Sequence, residues 1–172
     1  MLMGIILISS LSPELAMNPT LELLAQDVGL LQAGKERMRL AFCYVCAARI
    51  RHLLEEPEVI DCLDTLGRYL NGDASRDALE LAQKEAERLA NHHRGSKSID
   101  GCGHAAVSAS YAVANAVNGK ALQAADYAAY ATVYAEGGYG AVAQHEAFEP
   151  EFAWQVSALR ELCAEASGAN SV

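Results

Sequence analysis

Basic side chains are scarce: 13 Lys and Arg stand against 22 Asp and Glu in 172 residues, a formal charge of −9 at pH 7. That balance argues against nucleic acid or an anionic membrane surface as the main partner, because both recruit clustered cations. Long apolar runs are also missing. The N-terminal stretch from Ile5 to Ile8 falls far short of the ~20 residues that cross a bilayer, and no Lys or Arg precedes Lys35 to make a charged leader. The reading is a cytoplasmic chain with residues 1–19 as an extension outside the core, and Met17 as a second initiation point. Cysteine is sparse and odd in number, with Cys43, Cys46, Cys62, Cys102 and Cys163. This fits a reducing compartment better than a disulfide scaffold. Nucleotide-binding, esterase, zinc-protease and EF-hand signatures are absent from the string, and so is any stretch of strand-type alternation.

What is present is helical periodicity. Thr20 is placed to cap a first helix carrying Leu21, Leu24, Ala25 and Val28, closed by Gly34. A second runs from Glu36 to Leu54 with Phe42, Val45, Cys46, Ile50 and Leu53 inward. Pro57 opens a third, whose Val59, Leu63, Leu66 and Leu70 share a face; Asp64 and Arg68 pair outside, and Asn71-Gly72 ends it. Asp73 or Ser75 caps a fourth, with Leu79, Ala82, Ala86 and Leu89 repeating on one side.

His92 to Ser98 is a polar break. Between residues 101 and 135, 13 of 35 positions are Ala, and Asn118-Gly119 divides them into an αα-hairpin. Gly137 to Gly140 reads as a flexible loop. Pro150 then opens a last helix with Phe152, Val156, Leu159, Cys163 and Ala166 inward. The expectation is an all-α, single-domain bundle of six or seven helices over residues 20–167, with an Ala-rich αα-hairpin at its centre and a frayed tail from 168 to 172.

Candidate chemistry is thin. Cys43 and Cys46 form a CxxC, and Cys102 with His104 would complete a Cys₃His set for zinc. Buried cysteines acting as small hydrophobes explain the first pair more simply, since it lies on the stripe of Phe42 and Ile50. His92-His93 sits where a helix C-terminus favours cations, with no carboxylate partner at helical spacing. Tyr127, Tyr130 and Tyr134 share one helical face and Tyr111 lies on the preceding helix; they fill the hairpin groove or form an aromatic binding surface. Residues 101–172 hold 2 basic and 7 acidic side chains against 11 and 15 in residues 1–100. Glu146, Glu149 and Glu151, flanked by Phe148 and Phe152 and joined by Tyr139, are read either as part of a solvated acidic face or, more sharply, as an acidic patch with aromatic anchors for a basic protein.

Met38-Arg39-Leu40 through Cys46, then Ala48 to Leu54, then Leu66-Gly67-Arg68-Tyr69-Leu70-Asn71-Gly72-Asp73-Ala74-Ser75, precede a Leu/Glu/Ala helix and the Ala-rich hairpin. This order, over about residues 36 to 135, resembles the Ala-rich, all-helical bacterial proteins filed as uncharacterised or as immunity proteins of polymorphic toxin systems. The resemblance implies a non-enzymatic module that binds and neutralises a cognate toxin. It carries no catalytic residue and no cofactor. Two other readings come from the residues themselves: a small metal-binding or enzymatic bundle using Cys43, Cys46, Cys102 and His104, and a homo-oligomerising module joined through its Ala-rich hairpin.

Overall fold

The computed structural model describes residues 17–93 and 102–169. Asn18, not Thr20, starts the first helix: its side chain accepts the Leu21 amide at 3.1 Å, and Pro19 supplies the first helical residue. This helix, α1 (Pro19–Asp27), ends seven residues before Gly34, because Leu30 bonds back to Ala25 and Gly29 turns the chain at φ 63°. Asn18 is itself buried, although it lies within the stretch read as an extension outside the core.

A 3-10 turn (Ala33–Lys35) leads into α2 (Glu36–Arg49), and Arg51–Leu53 forms a second 3-10 turn where the sequence pattern continued the α-helix. Helix α3 (Pro57–Asn71) begins on its proline and closes on left-handed Gly72, and α4 (Arg76–His92) is capped by the Ser75 hydroxyl. The predicted apolar faces of both are inward: Val59, Leu63 and Leu66 on one, Leu79, Ala82, Ala86 and Leu89 on the other. Asp64 departs from expectation. It pairs with Arg51 of the preceding turn, through Arg51 Nη1 and Nη2, while Arg68 donates to the Thr65 hydroxyl. The Arg51 bond is the leading reason the Asp64 carboxyl lies below its ordinary range.

The hairpin of α5 (Cys102–Val117) and α6 (Ala121–Ala141) is the most intimate pair and occupies the middle of the molecule. Gly119 makes its turn at φ 69°, a conformation that costs a residue with a Cβ. Ala109, Ala112 and Ala116 on α5 and Ala121, Ala124, Ala125 and Ala128 on α6 are all buried, and such small side chains let neighbouring backbones approach closely. Helix α2 lies against both, α4 and α3 cover α5, and α7 (Glu149–Ala169) crosses α2 and α1. Gly137 to Gly140 is not a loop. Helix α6 continues through it, broken at Gly138 (φ 65°, ψ −157°) and running one more turn to Ala141. The last helix starts one residue before Pro150 and stays helical through Ala169, past the predicted fraying point.

One polar network crosses this core. Gln155 is fully buried on α7, donates to the Ala125 carbonyl at 2.8 Å and accepts from Asn18 Nδ2 at 3.2 Å; Asn18 also donates to the Phe152 carbonyl. Three helices are thereby pinned in one arrangement, with each buried amide partnered. Among the described residues the chain is helical with no strand, an all-α single-domain bundle of seven helices.

Candidate interaction surface

The hairpin turn dictates which rings meet. Tyr111 and Tyr127 stand eight residues either side of Gly119 and stack at 5.2 Å; His104 and Tyr134 stand fifteen either side and also stack at 5.2 Å. Antiparallel helices with equal rise bring equidistant positions to the same height. His104 was thus readable as an aromatic neighbour of Tyr134 from the turn position, although its type suggested a ligand.

From His104 a continuous line of rings follows. Tyr139 meets His104 edge-on at 4.8 Å and Tyr134 at 6.1 Å, Tyr134 leans on Tyr130 at 6.1 Å, and Tyr130 meets Phe148 at 5.1 Å. Phe148 then contacts Phe152 at 5.6 Å, and Phe152 contacts His145 at 6.4 Å. The inner members, Phe148 and Phe152, are buried with Ala129 and Val133 in a small second core. The outer members are open: Tyr139 is 59% exposed, His104 is exposed, and Tyr130 and Tyr134 are half-buried. Tyr139 reaches His104 because the chain turns at Gly138, whose φ/ψ only glycine adopts without strain. Partial burial beside Tyr130 and Tyr139 holds the Tyr134 hydroxyl pKa above its ordinary value, so it remains a donor.

The predicted acidic patch is divided by this arrangement. Glu146 and Glu149 are exposed, as is Glu136 between Tyr134 and Tyr139 in sequence. Glu151 is not on the surface: it is 3% exposed and receives Arg49 Nε on both carboxylate oxygens, at 2.9 and 3.0 Å. Phe148 and Phe152 are core residues and cannot act as free anchors. The helical wheel explains the correction, since Glu151 and Phe152 lie on the α7 face that also carries Gln155 and Leu159 inward. Burial pushes the Glu151 carboxyl above its ordinary value against the opposing pull of Arg49.

The four-ligand set of Cys43, Cys46, Cys102 and His104 gains no support from the geometry. Cys43 and Cys46 are fully buried among apolar neighbours, and burial pushes the Cys43 thiol up to about 12 and the Cys46 thiol well above its ordinary value. Such sulfurs are protonated and act as small hydrophobes. The His104 ring is occupied by tyrosines, and the Cys102 side chain lies outside the described residues. Among the described residues no group of three or more His, Cys, Asp or Glu is placed to hold an ion.

At the other end of α4, His93 lies with Nε2 3.4 Å from Glu56 Oε1, a carboxylate partner 37 residues away that spacing alone did not offer. No helix among the described residues is long and apolar enough to cross a membrane. No family model, curated protein or solved structure matches the chain.

Proposed function

We propose that the chain is a non-enzymatic protein-binding module that docks a basic partner on the Tyr139 end of the bundle. The toxin-neutralising role implied by the family resemblance is the specific form of this reading. The observation that carries it is Tyr139: a large ring 59% exposed, yet braced edge-on by His104 and Tyr134. A braced aromatic gives contact area with little ordering entropy left to lose, which is how interface anchors work. Exposed Glu136, Glu146 and Glu149 belong to the same C-terminal segments and supply the charge that steers a cationic partner. Carboxylates meeting Lys or Arg around a toxin's active centre would exclude its substrate.

The test is co-purification from the native cell, followed by titration of the purified partner against variants of the full chain. Tyr139→Ala is expected to weaken binding by ~2 kcal/mol while leaving the melting temperature almost unchanged. Reversing Glu146 and Glu149 to Lys should slow association and reduce its salt dependence. A partner whose affinity ignores both changes would place the interface elsewhere; failure to recover a basic protein would remove the reading.

A further inference from the structure

We infer that Arg49 is a preformed receptor for a single carboxylate group, a site that borders the Tyr139 surface at Glu136 and does not rest on the reading of that surface. Arg49 ends α2 and donates only its Nε–H, which both oxygens of buried Glu151 share. Its guanidinium carbon sits 4.1 Å above the Trp154 ring. The carboxylate on one edge and the indole beneath fix the plane and the position of the group.

An arginine serving only as an ion-pair partner has its terminal nitrogens available for a two-pronged bond to the carboxylate. Here that prong is left over. Nη1 and Nη2 have no acceptor among the described residues, and the side chain is 40% exposed. Arg49 lines a cavity of ≈ 250 Å³ whose other walls are His52, Leu53, Thr132, Ala135 and Glu136. A planar carboxylate matches the vacant edge with two parallel hydrogen bonds.

The surrounding charge selects its size. Glu151 behind Arg49 and Glu136 on the wall place two negative groups beside one positive one, and Glu136 already acts on Glu151 electrostatically. A dianion such as phosphate meets more repulsion there than a monoanion does. Thr132 spends its hydroxyl proton on the Ala128 carbonyl, so the donors facing the ligand are those of the Arg49 fork. The ligand class is therefore a monoanionic carboxylate, either a small free acid or the terminal carboxylate of a peptide.

Trp154 is the chain's one tryptophan and lies under the guanidinium, so its fluorescence reports the site directly. The full-length protein is titrated at constant ionic strength with acetate, a short neutral peptide bearing a free C-terminus, the same peptide amidated, inorganic phosphate and chloride. Saturable responses to acetate and to the free-ended peptide, stronger than those to phosphate or chloride, are expected. Arg49→Lys, which keeps the charge and loses the fork, should weaken acetate by about tenfold. Glu136→Gln should tighten it several-fold. Tighter binding of the free-ended peptide than of acetate, lost on amidation, identifies a peptide terminus as the source; equal binding of the two identifies a free acid. A response matched by chloride, or no saturation by either carboxylate, overturns the site even if Arg49→Lys fails to fold. An unchanged affinity in a folded Arg49→Lys does the same.

Discussion

Asp126 on α6 has its carboxyl raised from 3.8 to about 7, first by burial and then by the nearby charge of Glu22. A carboxyl raised on folding binds its proton more tightly in the native chain than in the unfolded one. The Asp126 contribution to stability is therefore complete below about pH 4, falls as pH rises from there towards 7, and levels off above it. Asp126→Asn should leave the melting temperature near pH 4 unchanged and raise it at pH 8, where the stability gain reaches up to roughly 4 kcal/mol at ~1.4 kcal/mol per unit. Thermal melts of both proteins from pH 4 to 8 check this; parallel curves would refute it. The thiols divide by burial. Cys43 and Cys46 are fully buried, Cys62 is pushed up to about 11 chiefly by burial, and Cys163 is only half-buried. In a Cys102→Ser background, a thiol reagent should modify Cys163 first and reach Cys43 and Cys46 only in denaturant. Early labelling of the CxxC pair would contradict the packing described.

At the scale of elements, the break inside α6 and the close fit of the hairpin carry the strongest consequences. Gly138 stands at φ 65°, ψ −157°, so Gly138→Ala should cost ~1–3 kcal/mol and move Tyr139 away from His104. Loss of the Tyr139–His104 contact would be visible as altered histidine ring shifts. Within the hairpin, Ala128 is 1% exposed, in the core that α5 and α6 share. Ala128→Leu should destabilise by ~1–3 kcal/mol or more, whereas the same change at exposed Ala164 should fall within about 0.5 kcal/mol. Denaturant midpoints compare the two directly. The elements themselves were largely readable: the Ser75 cap, Pro57 at a first turn and Gly72 at a helix end are local devices, set by residues within one turn. The start misplaced at Thr20 overlooked an equally local device, Asn18 before Pro19, whereas the Gly137–Gly140 segment ends in Tyr139, which meets the His104 ring of α5 in a contact no local pattern shows.

At the scale of the whole molecule, the bundle places two kinds of surface near the C-terminal end of α6. One is the aromatic line that emerges at Tyr139; the other is the guanidinium of Arg49 beside Glu136. The aromatic line was legible in part, because the stripe on α6 has a helical period and Tyr139 already stood in the expected surface, but its meeting with His104 required the hairpin height to be applied to a residue of another type. The Arg49–Glu151 pair joins residues 102 positions apart, and no periodicity or spacing connects them.

Amphipathic period, caps and the Asn118-Gly119 turn are short-range properties, so the amino-acid order alone specified an all-helical chain and most of its inward faces. Which acids remain in water, which cation neutralises the one drawn inside, and which rings reach the surface were decided by packing. Those outcomes depend on desolvation and on partners brought together only when α7 closes over α2, and desolvation has no counterpart in a linear pattern.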